Sequence, residues 1–129
     1  MKHIEKLANK LAKEAPSSYY SNYWTMEKEI ASLINTLEAI KKALLNGRFY
    51  AGVQSVSSSG MSRIIKLKYI ENNRLYHIDN ELILKLAGCD KNGRIHGCGM
   101  DMLFAAQYNL WTALFTKKPY QQMKQYRSF

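Results

Sequence analysis

Two stretches of the chain carry apolar residues every three or four positions, the spacing of one face of an α-helix. In the first stretch, Thr25 is placed to cap the amino end, and Asn46 and Gly47 supply a left-handed stop. The second stretch ends before Pro119, because proline cannot continue a helix. We therefore predict two main helices, over about 25–46 and 100–116.

Between these helices the helical spacing gives way to strand patterns. Residues 49–56 are rich in aromatic and branched side chains, and residues 63–70 alternate apolar and polar positions. Residues 71–73 read Glu-Asn-Asn, a turn sequence, after which 75–78 resumes as a strand. The order of these segments predicts an antiparallel meander of three strands.

The alternation also predicts which side of the sheet is buried. Ile65, Leu67 and Tyr69 share one face of their strand, whereas Lys66 and Lys68 share the other. We expect the lysine face to be exposed to solvent and the apolar face to rest on the first main helix.

Two shorter helices complete the predicted fold. An alanine-rich stripe in the first fifteen residues ends at Pro16, and a helix capped by Asp79 or Asn80 ends at Gly88. The fold class is therefore α+β: a small antiparallel β-meander packed against two main helices, with a short N-terminal helix and a short helix after the meander. No linker divides the chain, so 1–129 is expected to be a single domain.

Within that domain we expect three parts: an N-terminal helix and aromatic connector over 1–24, a core over 25–117, and a basic and aromatic tail over 118–129. The tail could be a docked strap or a frayed end. The first helix and the connector could also pack against a second copy, so a homo-oligomer is an open alternative.

The charge balance favours an anionic partner. Nineteen lysines and arginines stand against ten acidic residues, a formal net charge of +9. Basic side chains are spread along the chain, as expected either for a solvated surface or for attraction to nucleic acid or a complex that carries it. No stretch reaches the length of a membrane span, and no export signal opens the sequence, so we expect a cytoplasmic protein with no membrane partner.

A serine-rich segment joins the first two predicted strands. Ser59 and Ser62 flank a glycine and a methionine, and Arg63 follows directly. Serine hydroxyls, freed backbone N–H groups and an arginine fork are donors for an anion. The same residue types also satisfy an ordinary hairpin loop, so both interpretations stay open.

A second polar segment precedes the last helix. Residues 94–96 are expected to form a brief edge strand, followed by a glycine on each side of Cys98 and by Asp101 in the first helical turn. Glycines at a helix start let a ligand approach the backbone, although Asp101 would compete with an anion for the same dipole. Asp101 could instead pair with Arg63 or Arg94.

The two segments together resemble a signature of small phage and prophage proteins. The matching stretches are SSSGMSR at 57–63 and GCGMDM at 97–102, within a similarity confined to about 53–110. The resemblance implies an accessory protein of a mobile element, of the kind that counters a host defence such as CRISPR interference. It also implies that the two segments meet in space, where Arg63 and Asp101 could form a charged pair.

These features give a set of candidate functional residues. The residues expected to bind an anion or a partner are Ser59, Ser62, Arg63, Arg94, His96, Cys98 and Asp101. The expected basic surface consists of Lys66, Lys68, Lys117, Lys118, Lys124 and Arg127. We assign no catalytic residue, metal site or cofactor, because no complete catalytic set or standard zinc spacing is present.

The predicted function follows from charge and resemblance. We expect a non-catalytic accessory protein that binds a host or phage protein complex associated with nucleic acid, in the manner of a counter-defence inhibitor. Direct nucleic-acid binding is an open alternative. The alternative function is a small enzyme or a nucleotide- or anion-binding module that uses the serine loop and the Gly-Cys-Gly helix start.

Overall fold

A computed structural model describes residues 2–15, 25–56, 62–90, 94–96 and 101–120, with side chains described except at 51–56, 62–65, 94–96 and 101–103. Within these ranges it has four helices and four strands. In chain order the elements are α1 (His3–Glu14), α2 (Met26–Leu45), β1 (Phe49–Val56), β2 (Ser62–Glu71), β3 (Arg74–His77), α3 (Glu81–Leu86), β4 (Arg94–His96) and α4 (Asp101–Leu114). The predicted α+β class, with a meander packed on helices, is confirmed.

Strand β2 lies at the centre of the sheet. β1 pairs with it antiparallel from Phe49, opposite Tyr69, to Val56, opposite Arg63, with an irregularity after Val53. β3 pairs with the C-terminal part of β2 and β4 pairs with its first three residues, both antiparallel. Since a strand has two hydrogen-bonding edges and β1 follows one of them, β3 and β4 share the other edge end to end.

Helix α2 forms where the caps and the apolar stripe predict it. The hydroxyl of Thr25 accepts a hydrogen bond from the backbone N–H of Lys28 at 3.3 Å. At the other end Asn46 donates its N–H to the carbonyl of Lys42, and Gly47 takes a φ of 71°, which glycine adopts without strain. Leucine, isoleucine and alanine side chains between these caps are buried in the core.

The sheet rests on the helices through its apolar face. Leu67 and Tyr69 are buried, as the alternation predicts, while the side chain of Ile65 is outside the described ones. Phe49, opposite Tyr69, is buried as well, and α2 packs on both β1 and β2. Helix α1 packs mainly on α2 and adds four residues to the same core, namely Ile4, Ala8, Leu11 and Ala12. His3 Nε2 lies 2.6 Å from the carbonyl oxygen of Ala113, which ties the start of α1 to the end of α4.

Helix α3 is fixed at both ends by local contacts. The side-chain oxygen of Asn80 accepts hydrogen bonds from the N–H groups of Leu82 and Ile83, so Asn80 is the cap of the two residues predicted. Gly88 ends the turn with a φ of 88°. Its Cα approaches the side chain of Asn109 so closely that a Cβ would lie 2.8 Å from Nδ2.

The chain turns back after α4 and covers it. Helix α4 ends at Leu114, slightly before the predicted end, and Trp111 Nε1 donates to the carbonyl of Lys118 at 3.2 Å. Tyr120 then donates its hydroxyl proton to Oε1 of the buried Gln107 at 3.0 Å. As far as Tyr120, the tail is therefore docked on α4 rather than frayed. Residues 121–129 lie outside the described residues, so the prediction is not tested there. Within the described chain, no helix has the length and hydropathy to cross a bilayer.

Candidate functional site

The two polar segments of the sequence come together through backbone pairing. Strand β4 lies against the beginning of β2, with Ser62 opposite His96, Arg63 opposite Ile95 and Ile64 opposite Arg94. Four residues separate His96 from Asp101, so their Cα atoms are at most about 18 Å apart. The start of α4 is therefore held within that distance of the end of β4.

The described structure covers only part of the predicted anion site. Ser59 and Cys98 lie outside the described residues, as do Lys124 and Arg127 of the predicted basic surface. For Ser62, Arg63, Arg94, His96 and Asp101 the backbone alone is described, so pairing of Arg63 with Asp101 stays a prediction. Lys117 and Lys118 are exposed just after α4.

The described side chains define a second candidate site on the sheet face that points away from the helices, here called the outer face. Leu67 and Tyr69 are buried and point towards the helices. Lys66 and Lys68 alternate with them along β2, and their side chains therefore point the other way. Both lysines are half-buried, which makes this face less open than the alternation predicts.

Cross-strand partners supply the rest of the outer face. Tyr50 of β1 and His77 of β3 both stand opposite Lys68, on either side of it. Leu75 stands opposite Ile70 and is 49% exposed. Side chains of paired residues lie on the same face, so lysine, histidine, aromatic and aliphatic groups are adjacent here.

An acidic residue follows β3 where its pairing with β2 ends. The N–H of Ile78 donates to the carbonyl of Leu67 at 2.9 Å, which continues the pairing past the end of β3. The next residue, Asp79, is exposed, and a continuation of the same register would put it opposite Lys66. The face thus has an excess of basic groups with an acidic group at its edge.

The turn between β2 and β3 fixes this arrangement. Asn72 and Asn73 both adopt left-handed conformations, with φ of 53° and 62°, as a tight two-residue hairpin requires. On the buried side Tyr69 stacks on Tyr76 with ring centroids 5.3 Å apart. Burial raises the pKa of the Tyr69 hydroxyl, with smaller contributions from Glu71 and Tyr76, so this phenol stays protonated at neutral pH.

A separate groove of about 480 Å³ lies between α1 and α3. Its apolar lining includes Leu7, Leu82 and Leu86, and charged residues of both signs also line it. Cys89 is buried there, and burial, with a smaller contribution from Asp90, raises the pKa of its thiol to about 11. A thiol that remains protonated at neutral pH is a poor nucleophile.

A polar groove of about 410 Å³ lies at the C-terminal end of α2 and includes Lys42, Arg48 and Glu71. Helix C-termini carry the negative end of the dipole, which disfavours an anion there. As for metals, the described residues contain no group of three or more His, Cys, Asp or Glu side chains placed to hold an ion.

Comparison with known proteins adds no relative to this description. No family model, characterised protein or solved structure matches the chain. The sequence interpretation identified the lysines of the outer face but missed Tyr50, Leu75 and His77. Their signal was the strand register, which places them beside those lysines.

Proposed function

We propose that this protein is a non-catalytic binding protein that docks, through the outer face, on a host complex associated with nucleic acid. The observation that carries the proposal is the juxtaposition of Lys66, Lys68 and His77 on one side of two paired strands. Surfaces of this kind attract polyanions and release their counterions on binding.

The whole-chain charge supports the same partner class. A formal net charge of +9 raises the encounter rate with any polyanion and makes binding depend on salt. The net charge does not indicate which surface binds the partner. The neighbouring lysines of the outer face do indicate it, because charges on paired strands present a defined contact surface.

The biological setting of the proposal comes from the signature at 57–63 and 97–102. Its resemblance to phage and prophage accessory proteins supports a role for a mobile element, in which the protein inhibits a host defence complex. Nucleic-acid-guided defence complexes expose both protein and phosphate backbone, which a basic, partly apolar face can engage together.

Capture from a bacterial lysate at low salt tests the proposal. The variant is Lys66→Gln with Lys68→Gln, and the matched control is Lys6→Gln with Lys13→Gln, which removes the same charge from exposed positions of α1. We expect the parent and the control to retain a nucleoprotein complex and the outer-face variant to lose it. Equal retention by all three proteins, or no retention by any, contradicts the proposal.

The pairing of β2 with β4 favours a second candidate, an anion or nucleotide site near Arg63. Its register places Ser62 opposite His96, shortly before α4 in the chain. A bound ligand would raise the melting temperature by mass action. We expect nucleotides to give such a shift in the parent and not in Arg63→Ala, and the absence of any shift in the parent rejects this candidate.

A further inference from the structure

The outer face combines two lysines with the half-buried ring of Tyr50 and the exposed side chain of Leu75. This combination of charged and apolar groups defines the chemistry of its partner more closely than charge alone does. We infer that the outer face binds single-stranded nucleic acid, with phosphates on Lys66 and Lys68 and bases against Tyr50 and Leu75. The inference rests on the proposed function and names the component of the complex that the face contacts.

The lysines are spaced for an extended strand. Lys66 and Lys68 are two residues apart on β2, which places their Cα atoms about 7 Å apart on the same face. His77 lies beside Lys68 on the neighbouring strand. A phosphate backbone running along β2 meets two lysines in succession, with the imidazole of His77 beside the second.

The apolar residues flank this line of charge. Tyr50 lies on the β1 side of Lys68, and the next pair along the same face is Gly52 with Lys66. Gly52 brings no side chain to that position, so the half-buried ring of Tyr50 is the aromatic group that β1 contributes to this line. Leu75, 49% exposed on the β3 side, offers a second apolar contact.

A double helix would not use these groups. Its bases are stacked inside, and proteins read them by inserting a helix or a β-ribbon into a groove. A sheet face meets only phosphates on a duplex, so Tyr50 and Leu75 would contact nothing apolar. Unpaired bases, by contrast, stack on aromatic side chains of a sheet with little dependence on sequence.

Fluorescence anisotropy with purified full-length protein tests this inference. The probes are a short labelled oligothymidylate and a labelled mixed-sequence duplex of the same length. Tyr50→Leu removes the stacking ring but keeps apolar bulk, Tyr50→Phe keeps the ring, and circular dichroism checks that both fold. We expect the parent to bind the single strand about tenfold more tightly than the duplex, Tyr50→Leu to lose about tenfold in affinity, and Tyr50→Phe to bind as the parent does.

The two experiments together distinguish failure of this inference from failure of the proposed function. Equal affinity for duplex and single strand, or parental affinity in Tyr50→Leu, overturns the inference. So does the absence of oligonucleotide binding when lysate capture still depends on Lys66 and Lys68, a result that leaves the proposed function standing with a protein surface as the partner. If the parent protein neither binds the oligonucleotide nor captures a complex from the lysate, both the inference and the proposed function are rejected.

Discussion

Lys68 of β2 stands directly opposite His77 of β3, so two basic side chains from different strands share one position of the outer face. They are favourable for a surface that receives an anion, because a single phosphate can contact both. This pair is the centre of the proposed binding surface.

Asp79 at the rim of the outer face opposes an anionic partner, so its removal is expected to strengthen binding. We predict that Asp79→Asn raises the affinity for oligothymidylate about twofold to threefold at low salt, and that the gain disappears as salt screens the charge. Titrations at several salt concentrations measure this effect.

Glu38→Gln is the control for that prediction. It removes one exposed acid from α2, on the helix side of the sheet, and so changes net charge equally. An equal gain in both variants would show that total charge, and not the outer face, governs binding.

The amide of Asn80 donates to Oε1 of the buried Glu29 at 3.0 Å while its oxygen caps α3. Asn80→Ala removes both interactions, and we expect a loss of about 2 kcal/mol in the free energy of unfolding. Asn80→Asp keeps the cap but replaces the donor with a second carboxyl group beside Glu29. Urea denaturation should show Asn80→Asp to be clearly less stable than the parent, and equal stability would mean that the Glu29 contact contributes nothing.

The hydroxyl of Tyr120 reaches Gln107, which is only 1% exposed. Tyr120→Phe removes this donor from a buried oxygen while the ring keeps its edge contacts with Phe104 and Trp111. We predict a loss of about 1–2 kcal/mol in the free energy of unfolding. Thermal denaturation measures it against Tyr108→Phe, a ring of the same cluster that is 44% exposed and should change stability by less than about 0.5 kcal/mol.

Burial raises the pKa of the Cys89 thiol from 9.0 to about 11, which sets a pH dependence of stability. Between these values the unfolded chain loses the proton and the folded chain keeps it, so stability is complete below about pH 9 and falls as the pH rises to about 11. The raised pKa of Tyr69 acts in the same direction. We expect urea midpoints to fall across this range, and to fall less in Cys89→Ala.

The same thiol should resist alkylation. In a Cys98→Ser background, iodoacetamide at neutral pH is predicted to modify Cys89 only as fast as the protein opens, because the thiol is both buried and protonated. Mass spectrometry in native buffer and in urea follows the reaction. Rapid native modification would show that the groove between α1 and α3 gives reagents access to the sulfur.

Local signals in the sequence were enough to predict several elements. Thr25 caps the start of α2 and Gly47 follows its end with a left-handed conformation, as the sequence predicts. The apolar residues between them form the buried side of the helix. Likewise, the predicted alternation distinguished the buried side of β2 from the lysine side over 66–70, where the side chains are described. Each of these features depends on residues a few positions apart, which a pattern captures.

The functional surfaces depend on contacts between distant segments, which a pattern does not capture. Three residues of β4 carry too little information to name β2 as their partner, and the outer face requires the register of three strands at once. The α1–α3 groove similarly joins the first helix to residues some seventy positions later. Its lining could not be read from either helix alone.

The most direct test of the outer face is the change in backbone amide chemical shifts when oligothymidylate is added to the isotope-labelled protein. We predict that the largest changes fall on Tyr50, Lys66, Lys68 and the β3 residues Leu75 and His77, with little change in α1 and α3. Changes concentrated around the α1–α3 groove, or absent from the sheet while binding occurs, would contradict it.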